Sequence, residues 1–166
     1  MIQAAMKIDV TIDKEFKKTV SSLWLRSVAR QILIAQCAET ASEMGIYITG
    51  QEKIRDLNRI YRQKDKPTDV LSFSFYVKEA AADATTDCDF PPSADGIIHL
   101  GEVVISLPQA GIQAEEYNHP LKTELARLLI HGIMHLLGFN HEIDADAVLM
   151  ENREQEILKL LESSLC

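Results

Sequence analysis

Residues 128–139 read LLIHGIMHLLGF, an apolar run interrupted only by two histidines and two glycines. It falls short of the roughly 18–20 uninterrupted apolar residues of a membrane helix, so protein has to cover it. Extended back to Leu121, it predicts a core helix over 121–137, with every other element arranged around it. At 166 residues the chain is long enough to bury such a helix, and it is expected to be a single domain over residues 1–166. Its 46% apolar and 25% charged residues match globular proteins. The N-terminal MIQAAMKIDV lacks a basic segment followed by an apolar run, so no secretory signal is expected. A soluble, cytoplasmic protein without membrane contact is the expectation.

Two periodicities organise the rest. Ile8, Val10 and Ile12 alternate with polar residues as in a strand. A helix capped by Ser21 or Ser22 runs through Val28, Ile32 and Leu33 toward Met44, and GIYIT (45–49) is a short strand. Thr49 and Glu52 form a capping box for a second helix, with Ile54, Leu57 and Tyr61 on its apolar side. Pro67 ends that pattern, and VLSFSFYV (70–77) resumes alternation, with Leu71, Phe73 and Phe75 on one face. Residues 78–96 are rich in Ala, Asp, Thr, Ser and Pro, a long loop expected to be mobile. The strand IIHLGEVVIS (97–106) follows, joined to the previous strand as a wide hairpin. Helices around 109–117 and from Asp144 to Leu161 complete the set. Strands and helices mix without regular alternation, which is the α+β class.

Cys37, Cys88 and Cys166 are odd in number and far apart, with no Cys-x-x-Cys pair. Neither a disulfide framework nor a thiolate zinc site is expected. A net charge of −8 argues against broad, non-specific binding to nucleic acid.

The histidines carry the strongest chemical signal. His131 and His135, four apart on a helix, are separated by about 40° around its axis and point the same way. Gly138 stands where a helix C-terminal glycine belongs, and His141 follows the turn and can swing back. Three imidazoles of this kind fill three corners of a tetrahedron and leave the fourth open, as in a catalytic zinc site. A buried, hydrogen-bonded core histidine would account for one of them, but not readily for three. Nickel, copper and iron also accept imidazole. The spacing is similar to that of the metzincin peptidases, but Gly132 occupies the place of their glutamate base and cannot take a proton.

HGIMHLLGFNH (131–141) also resembles the His-Gly-x-x-His-Leu-x-Gly-x-Asp-His signature of the YbeY proteins, bacterial metal-dependent endoribonucleases that mature ribosomal RNA. NRIYRQKDKPTDVLSFSF (58–75) resembles that family's Asn-x-x-Tyr-Arg…Pro-Thr-Asp-Val-Leu-Ser-Phe block, and LGEVVIS (100–106) its Leu-Gly-Asp-x-x-Ile-Ser strand. Met150, Glu154, Ile157 and Leu158 fall into its pattern as well. Asn140 and Glu102 replace aspartates usual in the family, and Arg127 stands where many relatives have another histidine. The resemblance implies a small mixed sheet of about four strands around the histidine helix. It also implies a single-strand-preferring endoribonuclease acting at the 3′ end of small-subunit ribosomal RNA and in ribosome quality control. One zinc per chain would sit on His131, His135 and His141. The small subunit or its proteins would be further partners.

Arg55, Arg59 and Arg62 form a basic stripe that Lys64 and Lys66 extend. A guanidinium fork suits phosphate. By resemblance, Arg62 matches an arginine used in RNA cleavage and is the candidate catalytic residue. For Arg55 and Arg59, a solvated helix face partly neutralised by Glu52 and Asp56 is the plainer reading. Asp69 either caps or turns the chain after Pro67 or orients Arg62 or a water, the structural role being the plainer one; His99 and His119 read as structural or exposed, and Trp24 as packing. Nothing in the spacing of Glu102 requires it to reach the cleft. The rival readings are a non-catalytic ribosome-assembly factor with a structural zinc, and a zinc hydrolase of peptides or small molecules, which Gly132 disfavours.

Overall fold

Two-residue alternation of apolar side chains builds one mixed sheet in the computed structural model, which describes residues 6–37, 41–75, 94, 96–139 and 144–165. Its strands are β1 (Met6–Ile12), β2 (Ser42–Thr49), β3 (Val70–Ser74) and β4 (Ile98–Ser106), in the spatial order β1-β2-β4-β3. β1, β2 and β4 run parallel, and β3 lies antiparallel on β4. Parallel neighbours need a long crossover, which α1 (Ser22–Cys37) supplies between β1 and β2. β3 and β4 are the antiparallel neighbours that a wide hairpin requires. Apart from Ala94 and Gly96, the loop expected at 78–96 lies outside the described residues.

The pleat sends successive residues to opposite faces. Ile46 and its β4 partner Val103 belong to the main core with α1 and α4 (Leu121–Leu136). Their neighbours Tyr47 and Val104 face a small cluster with Ile54 and Leu57 of α2 (Gln51–Arg62). The predicted core helix is α4: Leu125, Ala126, Leu129, Ile130, Ile133, Met134 and Leu136 are buried along it. Each fully buried Leu or Ile contributes about 2–3 kcal/mol relative to exposure. α3 (Leu107–Glu116) and α5 (Asp144–Leu160) pack beside α4, and the short α6 (Glu162–Leu165) ends the chain's described part. The α+β class and the helix within the core are as the sequence indicated.

Two local expectations are corrected. α1 ends at Cys37, and Met44 belongs to β2, paired with Ile8. Ser42, Met44, Ile46 and Ile48 are buried with period two, so the parallel ladder overrides the helical reading. The capping box does not form. Gly50 occupies the N-cap of α2, and the Thr49 hydroxyl donates to Asp13 Oδ2 at 2.6 Å instead. Ser21 does cap α1, accepting from Trp24 N at 3.2 Å.

Candidate metal centre

α4 stops where the sequence places its stop. Gly138 has φ +94°, Phe139 N donates to Met134 O and Gly138 N to His135 O, which together close a Schellman turn. The helix therefore presents His131 and His135 in its last turns, close to the bend that leads toward His141.

His131 and His135 converge. Their Nε2 atoms stand 3.1 Å apart, with ring centres at 4.6 Å and planes at 79°. Two imidazole nitrogens on one tetrahedral zinc, with bonds of about 2.0–2.1 Å, stand roughly 3.3–3.4 Å apart. The observed pair is close to that spacing. His131 Nδ1 meets Glu154 Oε1 of α5 at 2.8 Å. A carboxylate there accepts a hydrogen bond from Nδ1–H, and in that tautomer the Nε2 lone pair beside His135 Nε2 stays available, as a histidine ligand with an outer partner requires. Among the described residues no group of three His, Cys, Asp or Glu has ligand geometry. His141 and Asn140 lie outside the described residues. The donor pair fits an imidazole-binding ion.

Gly132 has a packing cause. A Cβ there would stand 2.6 Å from Val103 Cγ1 and 3.2 Å from Ser72 Oγ. α4 lies so close to the sheet at this point that no side chain fits, and Ser72 Oγ donates to Gly132 O at 3.1 Å. The position that a metzincin gives to a base is filled here by the sheet.

Ser72 also connects this helix to the basic stripe. Its carbonyl accepts from Arg62 at 3.1 Å, so Arg62 and the α4 backbone meet the same residue of β3. Arg62 is exposed. Asn58, 3% exposed, donates to Lys66 O and fixes the loop after α2. Arg55 pairs with Asp65 at 2.9 Å and Arg59 with Asp56 at 3.5 Å, a solvated ionic face. Asp69 takes the structural role: Oδ1 accepts from Val70 N, Oδ2 accepts from Gln113, and its carbonyl accepts from Ser106 N. Glu102 lies beside Gly45 and near Tyr47, on the α2 face of the sheet and away from the histidines. His99 lies near Glu43, and Trp24 packs at the core's edge under Lys122.

Beside His131 a cavity of about 720 Å³ opens between α3, α4 and α5, lined also by Glu154, Tyr117, Glu124, Arg127 and Lys159. Arg62 is not part of its lining. Glu124, only 2% exposed, holds Arg127 at 3.0 Å and His119 at 2.6 Å. The roles of Glu154 and Glu124 were missed from the sequence. Both carried a signal, since each is a carboxylate set on an otherwise apolar helical stripe: Met150, Glu154, Ile157, Leu161 in one case and Leu121, Glu124, Leu125, Leu128 in the other.

A family model described as Endoribonuclease YbeY matches residues 6–162. A protein named Endoribonuclease YbeY from Dehalococcoides mccartyi (strain BAV1) is 47% identical over 93% of this chain and 96% of its own length. Relatives of the same name from Chloroflexus aurantiacus (strain J-10-fl) and Bacillus cereus (strain B4264) are 38% and 36% identical, over 93% and 88% of this chain and 94% and 89% of theirs. A solution structure from Thermotoga maritima shares the fold at TM-score 0.58 and 22% identity, covering 93% of this chain and 87% of that one.

Proposed function

Because the chain belongs to the YbeY endoribonuclease family, we propose that it is a zinc-dependent endoribonuclease that cuts single-stranded RNA, and that its substrate is the 3′ end of small-subunit ribosomal RNA, where it also serves ribosome quality control. The observation that supports this best is the convergence of His131 Nε2 and His135 Nε2 at 3.1 Å, with Glu154 on the far nitrogen of His131. His131, His135 and His141 would hold the zinc. When bound, zinc supplies Lewis acidity toward a phosphoryl oxygen or a water molecule. Arg62 offers a planar fork to the scissile phosphate and stabilises charge that builds on it in the transition state. Ser72 O anchors one edge of that guanidinium, so the fork pivots from β3. Gly132 carries no side chain to act as general base, so the attacking group would be a water or substrate hydroxyl acidified by the bound metal, with its proton passing to bulk solvent. No helix among the described residues is long and apolar enough to cross a membrane. A cytoplasmic ribosomal setting is part of the proposal.

The net charge of −8 favours a second reading, a ribosome-assembly factor whose zinc serves stability alone. Metal content of untagged wild type and His135→Ala, with RNA cleavage assayed on the same samples, separates the two. One metal per chain that vanishes in the variant together with cleavage supports the enzyme. Metal that vanishes while RNA binding persists, with no cleavage in either sample, supports the assembly factor. Wild type that takes up no metal, even with zinc added, rejects both.

A further inference from the structure

Arg127 lies four residues before His131, so the two share one face of α4 about 6 Å apart along its axis. Both line the 720 Å³ cavity. The guanidinium of Arg127 is held in place from two directions. One terminal nitrogen donates to the buried Glu124, which also holds His119. Its central carbon lies 5.3 Å from the centre of the Tyr117 ring. Even so, 46% of the side chain is open to solvent. A buried carboxylate that fixes one edge of a fork while the rest stays accessible is a mount for a ligand-binding arginine.

We propose that Arg127 is an RNA-binding residue that grips the phosphate next to the one presented at His131. The inference rests on the endoribonuclease reading. Asp69, Glu124, Glu151, Glu154 and Glu162 also line the cavity, against Arg127 and Lys159. Glu124 and Glu154 are occupied by basic partners and Asp69 by backbone and amide donors. The lining as a whole still repels a lone anion. Arg127 therefore serves a phosphate delivered as part of a strand already held at the histidines, and contributes to strand affinity rather than to bond breaking.

The test is steady-state cleavage of a short single-stranded oligoribonucleotide across a salt series, using wild type, Arg127→Gln, Arg127→Lys and, as control, Arg153→Gln. Arg153 is a surface arginine of α5 outside the cavity lining, paired with Glu156. Glutamine can still donate to Glu124 but carries no charge. Arg127→Gln should raise KM about tenfold, with kcat within about twofold. Its plot of log(kcat/KM) against log salt should be shallower by about 0.7, the increment for one phosphate contact on a single strand. Arg127→Lys should restore most of both, and Arg153→Gln should change neither. An Arg127→Gln protein that cleaves with the wild-type salt slope overturns the proposal, whether or not its Tm has fallen, because a purely structural arginine leaves the slope alone. Should Arg127→Gln not fold, the pair Glu124→Gln/Arg127→Gln removes the buried carboxylate that has lost its arginine, is compared with Glu124→Gln, and is read by the same slope. Wild type that cleaves no RNA overturns the endoribonuclease reading and this inference together. Wild-type cleavage with an unchanged variant slope overturns this inference alone.

Discussion

Val103 and Val104 are consecutive residues of one strand, yet they meet different surroundings. Val103 touches α4 at Gly132, in a core shared with α1 and with buried residues of α5. Among the described residues, Val104 belongs to the thin cluster of Ile54, Leu71, Tyr47, Leu57 and Phe73 beneath α2, whose outer side carries ion pairs in solvent. The thick face fixes groups whose positions must hold to a few tenths of an ångström, because close-packed interiors resist displacement. The donor pair His131–His135 is built there. The thin face carries Arg62, an exposed side chain tethered at one carbonyl, which on the proposed reading follows a mobile phosphate. Ser72 joins the two faces, since its side chain and its carbonyl serve one face each.

The thick face should break most severely at Gly132. Gly132→Glu drives a charged side chain into Val103 and should yield no cooperatively melting protein. Gly132→Ala gains about 1 kcal/mol of helix propensity but suffers an overlap that costs about 1–3 kcal/mol. A net loss is expected, partly recovered by Val103→Ala, and thermal unfolding of the four combinations measures the coupling. A Gly132→Glu protein with wild-type Tm would remove the packing explanation of this glycine. On the thin face, Ile54→Ala should cost about 2–3 kcal/mol, with any metal content per folded chain unchanged. Metal lost in step with stability would mean that the two faces are not separate.

Glu154 sharpens the comparison from the side of α5. On the proposed reading of the site, Glu154→Ala should weaken metal binding about 10- to 100-fold, as read by competition with a chromogenic chelator, and Glu154→Gln should recover part of it by accepting from Nδ1. Equal metal affinity in Glu154→Ala and wild type would reduce the 2.8 Å contact to a packing detail.

Much of the thick face was legible because its signals are local and redundant. The run 121–137, Gly138 and the four-residue histidine spacing each report on one helix, and the helix is where they place it. Gly132 was legible only as the absence of a base. Its cause is Val103, 29 positions away in sequence (132 − 103), and no local pattern encodes that approach. Thr49 failed for the same reason: its hydroxyl finds Asp13, a partner brought in by the sheet rather than by the neighbouring turn. Met44 was drawn out of its apparent helix by pairing with Ile8. Arg62 could be picked out by resemblance, but its anchor at Ser72 O depends on how α2 sits over β3.

The smallest effect is expected at the outer edge of the thin face, where Arg55 Nε donates to Asp65 Oδ1 at 2.9 Å. That hydrogen bond, reinforced by the charge of Arg55, holds the Asp65 carboxyl below its ordinary value and the Arg55 guanidinium above its own. A carboxyl depressed in the folded state contributes its stability above the unfolded carboxylate value, about pH 3.9, and loses it as pH falls through the folded value. The wild-type advantage over Asp65→Asn should therefore be constant from neutral pH down to the unfolded value and fade below it. Both side chains are more than half exposed, so the advantage should be slight and should shrink in high salt. Urea unfolding of both proteins at neutral and acid pH measures it. A large difference at neutral pH, or one that persists in strong acid, would mean that Asp65 positions the loop between α2 and β3 by something other than its charge. The face carrying Arg62 would then be as firmly built as the one carrying the histidines.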